Sequence, residues 1–156
     1  MSSQYVDFMR RFAKTLEIEH DFSVPEEPFC LEFDGMACYI ESMPGTGDVL
    51  LYAFPGILPD GREDAARKEL LAGNCFFRST AGAALAVAPG NDQVVLQKIL
   101  PLFGLEMESL MDEIEKLAVV AGAWTERLRE IGETVDAGKT ADTGGGMTGG
   151  QGFIRA

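Results

Sequence analysis

The sequence predicts an α+β fold, in which helices pack on a small antiparallel β-sheet in the order α-β-β-β-α-β-β-α. Two segments, 5–16 and 106–130, carry apolar residues at the three- and four-residue spacing of amphipathic helices. The pair Asp34-Gly35 lies between two β-prone runs and predicts a hairpin. The stretch 69–101 combines the end of a helix with two apolar strands, and the rest of the chain must cover it.

The first helix is predicted over residues 5–16, and Pro25 and Pro28 end the helical tendency that follows it. The first two strands are predicted over 29–33 and 36–42. The Asp-Gly turn between them suits a type I′ hairpin, because that turn requires positive φ at both central residues. The apolar stripe of the first helix consists of Tyr5, Phe8, Phe12 and Leu16.

The third strand, 49–54, is apolar throughout, so we expect it to be buried on both faces or to lie at an interface. A short second helix is predicted over 62–72. Asp60 and Glu63 have the spacing of a capping box at its start, and Gly73 is expected to stop it.

The fourth and fifth strands are predicted over 83–87 and 94–100, joined by the turn 89–92. The last helix is predicted over 106–130. Its apolar residues alternate at spacings of three and four, which indicates one continuous seam that packs along the sheet. The seam consists of Met107, Leu110, Ile114, Leu117, Ala121, Trp124 and Leu128.

The composition predicts one domain, 1–131, followed by a glycine-rich tail, 132–156. The tail contains Gly, Thr, Ala and Asp and too few apolar residues to offset the entropy of ordering, so we expect it to be flexible. Gly138-Lys139-Thr140 resembles the end of a phosphate-binding loop. However, the required earlier glycine is absent and the segment follows a helix instead of a strand.

The charge and the cysteines exclude several classes of function. A formal charge of -12 repels phosphate backbones and anionic lipid, so neither nucleic acid nor a membrane is an expected partner. Three cysteines match neither a disulfide framework nor a metal pattern, which indicates a reduced cytosol and no metal. No signal peptide and no apolar run of roughly 20 residues is visible, so we expect a cytoplasmic protein.

The sequence contains no arrangement that predicts catalysis, and no cofactor is expected. His20 is the only histidine and, beside two carboxylates at a helix end, is most simply a solvated surface residue. Cys75 is flanked by two phenylalanines and is interpreted as a small buried apolar residue. A small enzyme that uses Cys75 and carboxylates remains a third hypothesis, which substitution of that cysteine would test.

With the order of elements established, residues 5–128 resemble the type III secretion chaperones of the Tir-chaperone (CesT-like) family, in the acidic dimeric class I that serves individual effectors. The glycine-rich tail departs from the compact end expected of such a chaperone. The resemblance rests on apolar spacings and turns in four segments, together with the helix 110–124 that follows them. The segments are Leu70-Leu71-Ala72-Gly73-Asn74, Gly82-Ala83-Ala84-Leu85-Ala86-Val87, Val94-Val95-Leu96 and Ile99-Leu100-Pro101-Leu102.

The resemblance implies a homodimer in the bacterial cytoplasm that binds the N-terminal chaperone-binding segment of a secreted effector. It would keep the effector soluble and competent for secretion without hydrolysing ATP itself. The ATPase of the secretion apparatus is a further partner that the resemblance implies. The alternative is a regulatory or adaptor protein of the same fold, which would bind a transcription regulator or a component of the apparatus.

The candidate binding residues lie on two surfaces. A free sheet edge can accept a partner strand while shallow apolar pockets take its alternate side chains. We expect the effector pockets to be formed by Phe8, Phe12, Leu16, Phe29, Leu31 and Phe33, each of which could equally be core. By resemblance to the family, the dimer interface is expected at Leu70, Leu71, Leu85 and Val87.

Overall fold

A computed structural model describes residues 3–22, 28–43 and 45–139, and it confirms the predicted α+β fold and order of elements. A short 3-10 turn at Cys75–Phe77, which the sequence did not predict, follows the second helix. The elements are α1 (Ser3–Thr15), β1 (Phe29–Phe33), β2 (Met36–Ser42), β3 (Val49–Ile57), α2 (Glu63–Gly73), β4 (Ala84–Val87), β5 (Gln93–Leu100) and α3 (Met107–Lys139).

The five strands form one antiparallel sheet in the order β1-β2-β3-β5-β4. Asp34 and Gly35 have φ values of 49° and 79°, so the predicted hairpin between β1 and β2 is confirmed. β3 continues to Ile57, and its pairing with β5 is irregular between Ala53 and Gly56. β1 and β4 are the two edges of the sheet.

The core lies between one face of the sheet, called here the helix-covered face, and the three helices. Side chains directly opposite in an antiparallel pair point to the same face, and Phe29, Ile40 and Leu51 therefore share this face. The predicted seam of α3 packs on it, and all its members except the half-buried Met107 are buried. They are Leu110, Ile114, Leu117, Ala121, Trp124 and Leu128.

Two helix boundaries differ from the sequence prediction. Gly73 is the last helical residue of α2 and lacks the left-handed φ of a helix stop. A Cβ at this position would lie 2.5 Å from Cζ2 of Trp124, so close packing is the reason for glycine here. α3 continues to Lys139, and the residues 132–139 are therefore helical. The rest of the predicted flexible tail, 140–156, lies outside the described residues.

The predicted capping box of α2 does not form. Arg62 occupies the N-cap position and makes no side-chain capping bond. The carboxylate of Glu63 instead accepts a hydrogen bond of 2.9 Å from the backbone N–H of Gly61. Hydrogen bonds from the backbone N–H of Glu63 itself and from that of Gly61 stabilise the carboxylate and lower the pKa of the Glu63 carboxyl.

Candidate functional site

The second face of the sheet, called here the helix-free face, carries apolar side chains and has no helix packed on it in the described part of the chain. The three helices all pack on the opposite face. α1 places Phe12 against Phe29, α2 packs Gly73 close to Leu85, and α3 pairs Glu113 with Lys98. An antiparallel sheet normally exposes polar side chains on its uncovered face, so apolar residues there indicate a binding surface.

Three aromatic rings form the centre of the helix-free face. Tyr39 lies opposite Tyr52 across the β2–β3 pair, and their rings stack at a centroid distance of 5.3 Å and an angle of 16°. Phe54 contacts both rings edge-on, with centroids 5.5 Å away. Leu50 and Ile99 extend this apolar surface, and Ile99 is 51% exposed. Rings presented in this way offer a large, rigid apolar contact to a partner.

The phenol of Tyr52 on this face stays neutral at physiological pH. Partial burial, together with the nearby carboxylate of Glu41, raises the pKa of Tyr52 to about 12. A neutral phenol can both donate and accept a hydrogen bond. The aromatic surface can therefore bind apolar side chains through its rings and polar backbone groups through its hydroxyls.

The two edges of the sheet differ in how far they are open to a further strand. At β4, the side-chain amide of Asn74 accepts a hydrogen bond of 2.8 Å from the N–H of Leu85 and donates one of 2.9 Å to its carbonyl oxygen. These bonds occupy the outward-facing backbone groups of Leu85 and block strand addition there. β1 pairs with β2 on one side, and no strand among residues 3–22, 28–43 and 45–139 pairs with its other side. β1 is therefore the edge available to a partner strand.

A second exposed apolar patch, called here the α2–β4 patch, consists of Leu71, Phe76 and Phe77, which are 73%, 80% and 50% exposed. Phe76 and Phe77 have φ values of 56° and 54°. Left-handed backbone is costly for residues with a Cβ, and it is typical of segments that are held in place for binding. This turn directs the segment outward, so Cys75 is exposed and the expectation that it is buried is wrong.

The predicted effector-binding residues are divided between core and surface. Phe8 and Phe12 of α1 and Phe29 of β1 are 5%, 2% and 2% exposed and belong to the core. Leu31 and Phe33 lie on the helix-covered face and are partly buried, as is Leu16. The structure therefore leaves Leu16, Leu31 and Phe33 accessible to a partner and uses the other three to hold α1 on β1.

The predicted dimer residues are divided in the same way. Leu70 and Leu85 are 4% and 6% exposed and pack inside the chain, whereas Val87 is half-buried and Leu71 is exposed.

His20 also differs from its expected position on the solvated surface. Its ring packs against those of Phe22 and Phe29, with centroids 4.5 and 5.2 Å away.

Sequence reasoning missed the aromatic centre of the helix-free face. Strand 49–54 is expected to be buried on both faces or to lie at an interface, whereas its residues on the helix-free face are only half-buried, and the sequence assigns no role to Tyr39, Tyr52 or Phe54. The available signal was period-two spacing, because Tyr52 and Phe54 alternate with the buried Leu51 and Ala53. Recognising which set faces outward requires knowing that all helices pack on one side.

The described residues offer no site for metal chemistry and no membrane span. Among them, no group of three or more His, Cys, Asp or Glu side chains could hold a metal ion. None of the described helices is long and apolar enough to cross a bilayer.

The half-buried ion pair of Glu113 links α3 to Lys98 of β5 and to Lys116. Burial raises the pKa of Glu113, but hydrogen bonds and charge from the two lysines outweigh it, and its pKa is lowered.

Solved structures share this fold. A chain of the HopA1–SchA chaperone–effector complex superposes with a TM-score of 0.64 at 19% identity, over 79% of this chain and 94% of that one. A chain of the ExsC–ExsE complex superposes with a TM-score of 0.64 at 17% identity, over 82% of this chain and 96% of that one. A third match is a chain of the heterodimeric ExoU–SpcU complex from the type III secretion system of Pseudomonas aeruginosa. It superposes with a TM-score of 0.57 at 19% identity, over 78% of this chain and 94% of that one. The fold is thus that of small secretion chaperones.

The sequence itself identifies the family within this class. Residues 7–125 match the model of the Tir chaperone protein (CesT) family, and the chain therefore belongs to that family. This confirms the family predicted from the apolar spacings between α2 and β5, and it makes the protein a type III secretion chaperone. A search of curated protein sequences gave no match.

Proposed function

We propose that this chaperone is a bacterial cytoplasmic homodimer that binds the N-terminal chaperone-binding segment of a secreted effector and keeps it soluble and competent for secretion. The observation that carries the proposal is the helix-free face, where the aromatic centre Tyr39, Tyr52 and Phe54 lies close to an open sheet edge. It is supported by the family and by the chaperone–effector complex whose fold this chain shares.

The effector segment binds in extended form. Its backbone pairs with the free edge of β1, which supplies main-chain hydrogen bonds independent of the effector's sequence. Alternate side chains of the added strand then point to the two faces of the sheet. On one face they contact the apolar surface that continues to Tyr39, and on the other they meet Leu31 and Phe33 of β1. The effector is thereby prevented from folding or aggregating through that segment.

Binding of this kind requires no catalysis. Backbone pairing and apolar contact are reversible, so release needs only a competing interaction, for example with the ATPase of the secretion apparatus, the further partner in this proposal. The acidic surface keeps a protein with exposed apolar patches soluble in the cytoplasm. The protein itself acts as a binding module, without a cofactor and without ATP hydrolysis.

The homodimer forms through the α2–β4 patch in this proposal. Leu71 and Phe76 are 73% and 80% exposed, and Val87 of the neighbouring strand is half-buried. Burying such side chains fully contributes about 1.5–3 kcal/mol each. Leu70 and Leu85 support the patch from inside the chain and do not contact the partner subunit.

Co-purification tests the effector-binding surface. A tagged chaperone is co-expressed with the secreted proteins of its own bacterium, and the captured proteins are identified together with the bound region. We expect capture of an effector through its N-terminal region, and Ile99→Asp on the helix-free face should reduce it about tenfold or more, because it places an unpaired charge in an apolar contact. The control is Phe103→Asp, an exposed apolar residue in the β5–α3 loop that is 98% exposed, against 51% for Ile99.

Two outcomes would contradict the proposal. Equal capture by Ile99→Asp and wild type would exclude the helix-free face as the effector surface. Capture of a transcription regulator in place of any secreted protein would assign the fold to regulation.

Light scattering tests the dimer separately. The wild type should have twice the monomer mass of 16.9 kDa, and Leu71→Asp should give a folded monomer because this side chain makes few contacts within the chain. Leu85→Asp is the contrasting variant, since it buries a charge and should unfold the protein. A dimer that persists in Leu71→Asp would show that the subunits associate elsewhere.

A further inference from the structure

A groove lies alongside α3, and none of its lining residues belongs to the aromatic centre of the helix-free face or to the α2–β4 patch. It has a volume of about 440 Å³ and is bordered by Phe33 at the end of β1, Val119 and Val120 of α3, and Ala81 of the loop before β4. A neighbouring hollow of about 260 Å³ shares Val119 and reaches the β1–β2 turn. Val119 is 66% exposed, although residues of its type are usually buried.

The rim of this groove is acidic. The carboxylates of Asp112 and Glu115 lie on one side, and those of Asp34 and Glu126 border the adjoining hollow. Lys116 is the only basic residue that borders either hollow, and its ammonium group is already bound to Glu113 at 3.0 Å. Glu126 is ion-paired with Arg129 at 2.9 Å, whereas the structure gives no ion pair within the described residues to Asp34, Asp112 or Glu115. An apolar floor bordered by these three carboxylates is complementary to an apolar side chain with cationic neighbours.

We infer that this groove, called here the α3 groove, is a second recognition site, which takes a large apolar side chain flanked by Lys or Arg in the client protein. The inference rests on the proposed function, because the occupant belongs to the client that adds a strand at β1. Phe33 connects the two sites, since it ends β1 and also borders the groove. A client chain that leaves the β1 edge at the hairpin turn therefore reaches the α3 groove directly.

The charge pattern favours a client segment with basic flanks over a second copy of this chain and over a purely apolar segment. A second copy of this chain would bring a surface of net charge -12 against an acidic rim, which is repulsive. A purely apolar segment would leave the rim carboxylates facing it without compensation. A basic flank on the client supplies the missing charge, so binding should weaken as the salt concentration rises.

The test is an amide chemical-shift titration of the isotope-labelled full chain with two synthetic peptides. The first peptide has one Phe between two pairs of Lys, and the second has Glu in place of every Lys. We expect the basic peptide to shift the amides of Phe33 and Val120 and to bind about tenfold or more tightly than the acidic one. Val119→Lys should abolish these shifts, and Glu115→Lys, an exposed charge reversal, should weaken them.

The control is Phe103→Lys, which also replaces an exposed apolar residue by a cation, in the β5–α3 loop outside both hollows. It should leave the titration unchanged. Equal shifts from both peptides, shifts confined to the helix-free face, or a response that survives Val119→Lys would each overturn the inference.

Effector capture distinguishes the inference about the α3 groove from the proposed function. If Ile99→Asp loses the effector and Val119→Lys retains it fully, the groove assignment fails and the proposed function stands.

Discussion

Replacing Gly73 by alanine is expected to destabilise this protein, although the same change stabilises most helices. Gly73 is the last residue of α2 and faces α3 and β4. A Cβ there would lie 2.5 and 2.9 Å from Cζ2 and Cη2 of Trp124 and 3.1 Å from Cδ1 of Leu85. Non-bonded carbon atoms prefer about 3.5–4.0 Å, so the indole ring must move by about 1 Å.

Two opposing effects decide the sign of the change. Alanine gains up to about 1 kcal/mol over glycine in a helix interior, and less at the last residue. Overpacking a filled core costs about 1–3 kcal/mol. The clash involves a rigid ring that is 8% exposed, not the end of a flexible side chain, so the upper part of that range applies. We expect Gly73→Ala to lower the free energy of unfolding by about 1–2 kcal/mol.

Urea denaturation at a fixed protein concentration measures this effect, and the fluorescence of Trp124, the only tryptophan, reports on the affected contact. Gly122→Ala in α3 is the matched control. No atom lies within 4 Å of its added Cβ, so it should stabilise the protein by about 0.5–1 kcal/mol. If Gly73→Ala stabilised the protein as much as Gly122→Ala does, the argument from close packing would be refuted.

Three further changes test other parts of the fold. Glu113→Gln should cost about 1–2 kcal/mol at pH 7, measured by urea denaturation. The lowered pKa of Glu113 contributes stability above its unfolded value, so the difference from wild type should shrink below about pH 4 and not at alkaline pH. Asn74→Ala leaves two backbone groups of Leu85 unpaired, so it should cost about 2 kcal/mol and promote association through β4, detected by light scattering; unchanged stability would show that water replaces the amide. Cys75 should react with a thiol reagent in the native protein, whereas Cys38, whose pKa burial raises to about 11, should react only on unfolding.

Local signals in the sequence were sufficient for the order of elements. The Asp34-Gly35 pair predicted the first hairpin because few dipeptides adopt positive φ at both positions, and the structure has it there. The seam of α3 was equally clear, because apolar residues spaced by three and four over about six turns indicate one helix, and packing along the sheet was favoured over a coiled coil. The ends of the helices were predicted less accurately, since α3 was predicted to end at residue 130 and continues to Lys139.

The candidate site was predicted less well, because period-two and helical patterns show which residues are apolar but not which apolar residues are covered. Phe8, Phe12 and Phe29 have the same chemistry as Phe54, Phe76 and Phe77. The first three lie in the core, and the others have no helix packed on them among the described residues. Asn74 shows the same limit, since nothing in the sequence indicates that its amide closes the edge of β4.

The sequence by itself determined the fold class, the family, the acidity and the absence of a recognisable catalytic motif, because these depend on composition, spacing and turn chemistry within short segments. Only the tertiary structure decided which face of the sheet is bare, which edge is open, and that Gly73 is required by Trp124. These features depend on contacts between residues that are distant in the chain. The apolar seams of α1 and α3 are buried together on one face of the sheet, so the described helices pack there and leave the other face uncovered.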